Sequence, residues 1–161
     1  MKTHEVMALI VLFGCLGVAA CSGHKEPVPT YTSGLGEIMI FTQMRHAKLW
    51  MAGEAENWEL AAYETDELEE GFHDVATFYP THNDSPLPLS KALPAMTNAP
   101  VAALRAAIAK RDKAPFEAAF DSLTAGCNNC HRTVKVGFNV VRRPTSDAFP
   151  NQDFSPRAAA P

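Results

Sequence analysis

Apolar side chains recur at intervals of three and four residues in four stretches of the chain. This spacing places them on one face of an α-helix, so the pattern predicts helices over about 36–52, 58–77, 100–111 and 115–134. Each helix has an apolar face that needs a partner, because an unpaired face would be exposed to water. The pattern therefore predicts an all-α fold in which the helices pack together as a bundle.

Prolines interrupt the helical pattern in two places. Four of them fall between residues 78 and 98, which predicts a long irregular loop with at most a short helical turn over 90–96. After residue 135 the helical pattern fades, and residues 137–141 are interpreted as extended chain. Further prolines follow, so we expect residues 136–161 to form an extended C-terminal tail.

The predicted first helix has an apolar stripe that also includes polar residues: Leu35, Met39, Thr42, Gln43, His46, Trp50 and Gly53. Glycine is favoured just beyond the end of a helix, so Gly53 is predicted to cap the first helix. Asn57 is a suitable N-cap for the second helix, because its short side chain can accept a hydrogen bond from a free backbone N–H.

The predicted fourth helix carries cysteines on its apolar face, whose members are Phe116, Phe120, Leu123, Cys127, Cys130 and Val134. The cysteines belong to Cys127-Asn128-Asn129-Cys130-His131, a C-x-x-C-H motif that is typical of haem attachment. Thiols three residues apart lie on one side of a helical turn, where both can form thioethers with one porphyrin. His131 can then ligate the iron. We predict one covalent haem c inside the bundle.

Two other kinds of site use a C-x-x-C pair. A zinc site of this type needs a second pair, and the sequence has none. A thioredoxin-like dithiol is expected beside a βαβ pattern, and no strand pattern surrounds this motif. His73 and His82 are interpreted as ordinary surface histidines and not as metal ligands.

The first twenty residues are typical of an export signal. The apolar run from Val6 to Ala20 is too short to span a membrane, which predicts a signal peptide over 1–20. The sequence Val18-Ala19-Ala20-Cys21 resembles the lipobox of bacterial lipoproteins, so Cys21 is predicted to carry lipid and residues 21–34 to form a lipid-anchored tether. The alternative is an ordinary signal peptide cut near Ala20. Ser22 differs from the aspartate that retains lipoproteins at the inner membrane, which favours the outer membrane and a periplasmic location.

The formal net charge of −4 does not favour nucleic-acid binding. The stretch from Glu54 to Asp74 contains nine carboxylates and no Lys or Arg. Such a run of charge is interpreted either as a solvated helix face or as a docking surface for a basic partner. Four bases cluster in the twelve residues after the motif, and they can dock an acidic redox partner, neutralise haem propionates or simply be solvated: Arg132, Lys135, Arg142 and Arg143.

Four amphipathic helices with C-x-x-C-H on the last one resemble the class II c-type cytochromes, the cytochrome c-prime group. The family's link between its first two helices is similar to Trp50-Met51-Ala52-Gly53-Glu54-Ala55-Glu56-Asn57-Trp58. The resemblance covers residues 35–135 and implies an antiparallel four-helix bundle with the haem on the last helix. Two features depart from the family: Val134 stands where an aromatic residue is frequent, and the fourth helix does not continue to the chain end.

The resemblance implies two alternative functions. One is electron transfer by a six-coordinate haem, for which Met39 stands at the family's distal position, with His46 or no protein ligand as alternatives. Met39 can instead be plain core packing. The other function is gas binding, usually of nitric oxide, at a five-coordinate iron.

A structural or assembly lipoprotein with an incidental haem is a third reading. No suitably placed acid and base suggest catalysis, so an enzyme is not predicted. The expected partners are redox proteins and a membrane, reached through the N-terminal lipid. Family members often dimerise through their first two helices, so a homodimer stays an open alternative.

Overall fold

The computed structural model describes residues 31–82 and 85–156, which contain four helices and no strand. The helices are α1 (Leu35–Glu54), α2 (Trp58–Phe78), α3 (Leu89–Lys110) and α4 (Lys113–Thr133). The predicted all-α fold is therefore confirmed for this part of the chain. None of these four helices is both long enough and apolar enough to cross a membrane. The predicted signal peptide and Cys21 lie outside the described residues, as does most of the predicted tether.

Neighbouring helices in the bundle run antiparallel. Residues 55–57 connect α1 to α2 and residues 111–112 connect α3 to α4, and connections this short reverse the chain direction. Contacts between α1 and α2 fit this arrangement: Arg45 pairs with Glu64, whereas Thr42, earlier on α1, lies beside Gly71, later on α2. By contrast, α1 and α4 approach each other closely at only a few places.

Aromatic rings pack together where α1 and α4 do meet. The ring centroid of Trp50 lies 6.4 Å from that of Phe116 and 4.9 Å from that of Phe120, and Trp58 at the start of α2 joins this cluster, with its centroid 5.8 Å from that of Phe116. Gly53 belongs to this contact, because a Cβ there would overlap the Phe116 ring. The prediction that Gly53 caps α1 is wrong: Gly53 lies inside the helix, where its missing side chain makes room for Phe116.

α3 is ten residues longer than the helix predicted over 100–111. The loop predicted over 78–98 is therefore wrong in its second half. α3 begins at Leu89 and runs through Pro94 and Pro100, each of which removes one backbone hydrogen bond. Its buried face is continuous across both prolines: Leu89, Ala92, Leu93, Thr97, Val101, Leu104, Ala107 and Ile108. Burial of this long face offsets the hydrogen bonds lost at the prolines. A prediction based only on the prolines does not include this contribution.

Pro100 leaves the carbonyl of Met96 without its usual partner four residues ahead. That carbonyl lies against α4 at Gly126, where a Cβ would overlap its oxygen. The glycine therefore permits α3 and α4 to approach closely at this point, just before the cysteine motif.

Beyond α4, the described chain to residue 156 contains turns and bends without helix or strand. Residues 137–141 were predicted to be extended, but 137 and 138 lie in a turn closed by a bond from Asn139 N–H to the carbonyl of Val136 (2.9 Å). The segment then follows α4 back, because Arg143 binds Asp121. At the far end, Asn57 Nδ2 donates to the carbonyl of Phe154 (3.3 Å). Asn57 is also the predicted N-cap of α2 and accepts from Leu60 N–H (3.2 Å).

Candidate cofactor site

A cavity of about 370 Å³ lies between the first half of α1 and the last turns of α4. Its other walls come from the end of α2, the start of α3 and residues 136–141. The lining is mostly apolar, and the volume lies in the range of roughly 300–1,000 Å³ that is usual for small-molecule sites. The cavity occupies the part of the bundle where α1 and α4 separate.

The structure places five predicted candidates on the wall of this cavity: Met39, His46, Cys127, Cys130 and His131. His82, which was interpreted as a surface residue, also lines it. His73 does not, and its Nε2 lies 3.4 Å from the hydroxyl of Thr77. Residues from two distant parts of the sequence therefore meet at one site.

The two cysteines stand in an apolar environment, with Cys130 buried and Cys127 half-buried. Burial raises the pKa of the Cys127 thiol to about 12, with a smaller effect from the neighbouring Cys130, and burial also raises the pKa of Cys130. Reactive redox dithiols have a lowered pKa, so this environment does not favour a thioredoxin-like role. In the described parts of the chain, no three His, Cys, Asp or Glu side chains are placed to hold one metal ion, which gives the zinc reading no support.

His131 is held by its Nδ1 nitrogen. This nitrogen lies 2.6 Å from the backbone carbonyl oxygen of Asn139. A carbonyl can only accept, so Nδ1 carries the proton and Nε2 keeps its lone pair. Histidines that ligate metals usually donate their other ring N–H in this way, which fixes the tautomer and the ring orientation. The hydrogen bond to Asn139 therefore leaves Nε2 of His131 available as a ligand for a metal such as the iron of a cofactor.

The end of α4 brings Asn139 to this position. Lys135 adopts a left-handed conformation (φ 64°) and donates its N–H to the carbonyl of Arg132, while Val136 N–H donates to the carbonyl of His131 (2.8 Å). These two bonds form a Schellman motif, which terminates the helix and reverses the chain. The sequence alone gave no signal for it, because glycine usually occupies the left-handed position.

The register between α1 and α4 indicates which residue of α1 lies at the same level as His131 on the other side of the cavity. Trp50 packs against Phe120, and His46 bonds to Thr124, so a step of four back along α1 matches a step of four forward along α4. Continuing the same antiparallel register, Met39 comes level with His131. His46 is seven residues, or about 10 Å, further along its helix.

His46 already has a partner in the wall of the cavity. Its Nε2 lies 2.8 Å from the hydroxyl oxygen of Thr124, and that hydroxyl donates its only proton to the carbonyl of Phe120 (2.9 Å). Nε2 must therefore carry a proton and donate it to Thr124. Burial lowers the pKa of His46 to about 4, which keeps the ring neutral at ordinary pH.

The bases after the motif do not line the cavity. Arg143 pairs with Asp121 through Nε (2.5 Å) and its guanidinium lies 4.1 Å from the Trp50 ring centroid, so it fixes the C-terminal segment to the bundle. Arg132 binds the side chain of Asn129. Three of the four bases, Arg132, Lys135 and Arg142, are exposed and make no ion pair within the described residues.

Much of the acidic run between Glu54 and Asp74 pairs with bases of the same protein. Five of its nine carboxylates form ion pairs with bases on other helices: Glu54, Glu64, Asp66, Glu67 and Glu69. Glu64 is buried, which raises the pKa of its carboxyl, and the bond from Arg45 at 3.2 Å limits that rise. Much of this helix face therefore binds the protein's own bases, an arrangement that sequence spacing does not reveal.

No protein family, curated protein or solved structure matches the chain. Interpretation of the site therefore depends on the motif and on the geometry of this cavity.

Proposed function

We propose that the protein is a mono-haem c-type cytochrome that transfers single electrons on the periplasmic side of a bacterial membrane. Cys127 and Cys130 would hold one haem c through thioethers, and His131 would ligate its iron through Nε2. The iron would supply a one-electron couple between its ferric and ferrous states. The observation that carries this proposal is the bond from His131 Nδ1–H to the Asn139 carbonyl, which leaves the other ring nitrogen available.

The cavity suits a large apolar cofactor. Both cysteines and His131 line the same space, and its walls are mainly aliphatic and aromatic. Such walls exclude water from a porphyrin face, and the thiols are on the same side of α4 as its other core residues. The antiparallel helix order and the late position of the motif support the likeness to the class II c-type cytochromes.

Met39 is the proposed second iron ligand. Met39 lines the cavity, and the helix register places it at the level of His131. His46 is less suitable, because its Nε2 is hydrogen-bonded to Thr124. A thioether is the soft ligand that electron-carrying cytochromes use to raise their potential. A six-coordinate iron also excludes small gases, which suits a carrier and not a gas sensor.

Gas binding at a five-coordinate iron is the second candidate function. It is favoured by the packing of Met39 against the apolar core, because a methionine held there would leave the distal side of the cavity open. In that case the apolar wall of α1 would face a ligand such as nitric oxide. Catalysis is not part of either proposal.

The location and the partners follow from the N-terminal pattern. Lipid on Cys21 would anchor the protein to the periplasmic side of a membrane, most simply the outer one, and the chain up to residue 34 would serve as a tether. Redox proteins are the expected partners. Exposed Lys135 and Arg142 near the cavity are suited to an acidic partner. A homodimer is the alternative assembly.

The test is covalent attachment, followed by an optical spectrum. The full chain is expressed in a bacterium that attaches haem during export, and we expect colour that survives denaturation and acid–organic extraction, with one haem in the mature mass. The double variant Cys127→Ser/Cys130→Ser should be colourless, whereas Cys15→Ser in the predicted signal peptide should keep the pigment. Pigment that extracts completely would refute the proposal. Carbon monoxide should leave the ferrous spectrum of an electron carrier unchanged and should shift that of a gas-binding protein.

A further inference from the structure

The two residues between the cysteines of the motif are both asparagines, yet they have different surroundings. Asn128 is half-buried and forms a reciprocal pair with the backbone of Val141: its Nδ2 donates to the carbonyl and its Oδ1 accepts from the N–H, both at 2.8 Å. Asn129 is exposed, and its side-chain oxygen accepts from Arg132 on the same helix. Of the two, Asn128 alone connects α4 to the returning chain.

The stretch of chain between residues 136 and 141 is thus attached to α4 at both ends. Val136 N–H donates to the carbonyl of His131 (2.8 Å), and Asn128 binds Val141. Asn139 lies between these two attachments, and its carbonyl accepts the Nδ1–H of His131. The position of that carbonyl depends on both attachments, because the segment has no helix or strand of its own.

We propose that Asn128 is a positioning residue for His131: by binding Val141, it holds the Asn139 carbonyl where it accepts the imidazole Nδ1–H. This inference rests on the proposed function, in which His131 ligates iron. Asn128 itself touches neither iron nor substrate in this role. An amide suits this role because its donor, Nδ2, and its acceptor, Oδ1, are separate atoms of one planar group and bind the carbonyl and the N–H of Val141 together, whereas alanine has neither.

The expected consequence is a change in the electron donation of His131. A carbonyl that accepts from Nδ1–H raises the basicity of the other ring nitrogen and fixes the ring orientation. A more basic ligand favours the ferric over the ferrous state. Loss of the Asn128–Val141 pair, here called the clamp, should therefore raise the reduction potential and expose the Nδ1 proton to solvent exchange.

The experiment compares Asn128→Ala with Asn129→Ala in the full haem-containing chain. Val141→Pro serves as a second variant, because it removes one of the two clamp bonds from the other side without altering the motif. Two quantities are measured: the midpoint potential, and the solvent exchange of the His131 Nδ1 proton by NMR. For Asn128→Ala we expect the ferrous-to-ferric ratio at fixed potential to rise about tenfold, a positive shift of about 59 mV for one electron, with faster exchange.

Val141→Pro should shift both quantities in the same direction, and Asn129→Ala should match the wild type. The proposal is overturned if Asn128→Ala changes neither quantity, or if Asn129→Ala changes both as much. A wild-type protein that lacks covalent haem would contradict the proposed function itself. Normal haem attachment with an unaltered Asn128→Ala protein would contradict the clamp alone, so the two failures are distinguishable.

Discussion

Single contacts fix the positions of the candidate ligands in this protein. Two contacts, between Trp50 and Phe120 and between His46 and Thr124, define the register of α1 against α4, and extension of that register places Met39 level with His131. His131 in turn is oriented by one backbone carbonyl. A shift of one of these contacts by a helical turn, about 5.4 Å, would replace Met39 by another residue across the cavity.

The first prediction at this scale concerns Met39. Met39→Ala should convert a low-spin haem to high spin and open it to carbon monoxide, because the thioether would no longer occupy the sixth position. Met44→Ala is the matched control, since Met44 does not line the cavity. The measurement is the optical spectrum of both oxidation states with and without carbon monoxide.

Two results would change the assignment. A wild-type protein that is already high-spin and binds carbon monoxide readily would favour the gas-binding alternative. A low-spin Met39→Ala protein, together with loss of the low-spin state in His46→Ala, would transfer the distal ligand to His46.

Gly126 and Gly36 should respond in opposite directions to alanine. A Cβ at Gly126 would overlap the Met96 carbonyl, whereas nothing lies within 4 Å of a Cβ at Gly36. We expect Gly126→Ala to lower the free energy of unfolding by about 1–3 kcal/mol through overpacking, and Gly36→Ala to raise it by up to about 1 kcal/mol through helix propensity. Urea unfolding monitored by circular dichroism measures both. Equal effects of the two substitutions would contradict the close approach of α3 and α4.

Burial of His46 predicts a loss of stability in acid. Its folded pKa is lowered to about 4 from 6.5, so the unfolded state takes up the proton first as the pH falls. The contribution is therefore fully present above about pH 6.5 and is lost as the pH falls towards 4. It amounts to about 3 kcal/mol at most.

In His46→Gln, whose amide can still donate to Thr124, this part of the pH dependence should disappear. Urea unfolding at several pH values between 4 and 7 checks it. A variant that loses as much stability in acid as the wild type would show that His46 is not the group responsible.

At the scale of the helix, three of the four helices end in the same way. α1, α3 and α4 are each followed by a Schellman pair of hydrogen bonds, and the left-handed position is occupied by Glu56 (φ 55°), Arg111 (φ 54°) and Lys135 (φ 64°). A residue with a Cβ is strained there, by roughly 1–2 kcal/mol relative to right-handed backbone. None of the three positions is occupied by glycine, the residue that adopts this conformation most easily.

Glycine at these positions should stabilise the protein. Arg111→Gly and Lys135→Gly should each raise the free energy of unfolding by about 1 kcal/mol, because glycine relieves the strain at some cost in chain entropy. Ala109→Gly is the matched control inside α3, and it should lower the free energy by about 1 kcal/mol. Chemical denaturation gives all three values, and a loss of stability in both glycine variants would argue against the Schellman geometry.

At the scale of the whole molecule, the C-terminal segment joins distant parts of the bundle. It leaves the cavity at residue 141, pairs with α4 through Arg143 and reaches the start of α2 at Asn57. Lys48 of α1 lies 5.1 Å from the ring centroid of Phe149. The segment therefore covers the side of the bundle where α1 and α4 make few direct contacts.

Membrane anchoring is the prediction that concerns the whole chain. The sequence ending Val18-Ala19-Ala20-Cys21 predicts that the wild type fractionates with membranes and that Cys21→Ala does not mature normally. Fractionation and mass spectrometry of the mature N-terminus measure this. A freely soluble periplasmic wild type with an unmodified N-terminus would refute it, whereas the haem proposal would be unaffected.

Features that depend on neighbouring residues could be predicted from the sequence alone. The apolar stripes of α2 and α4 follow from helical periodicity, and the N-cap at Asn57 follows from a side chain that reaches its own backbone. The stripe predicted for α1 is only partly correct, because Gln43 is exposed whereas Ile38 and Leu49, which it omits, are buried. The spacing of Cys127, Cys130 and His131 is likewise a local property of one helical turn. Local pattern therefore located four helices and the candidate chemistry on the last of them.

Features that depend on distant residues were decided by the tertiary structure. Four prolines between residues 78 and 98 argued locally against a helix at 89–99, but the burial of a continuous apolar face on α3 outweighs the bonds lost at Pro94 and Pro100. Local sequence predicted a helix end at Gly53, but in the structure the glycine lies inside α1 and makes room for the Phe116 ring. Asn128, in a position that the motif leaves free, acquires its role only because the chain folds back to place Val141 beside it. In each case the deciding interaction joins residues that are distant in sequence, and local periodicity carries no information about such pairs.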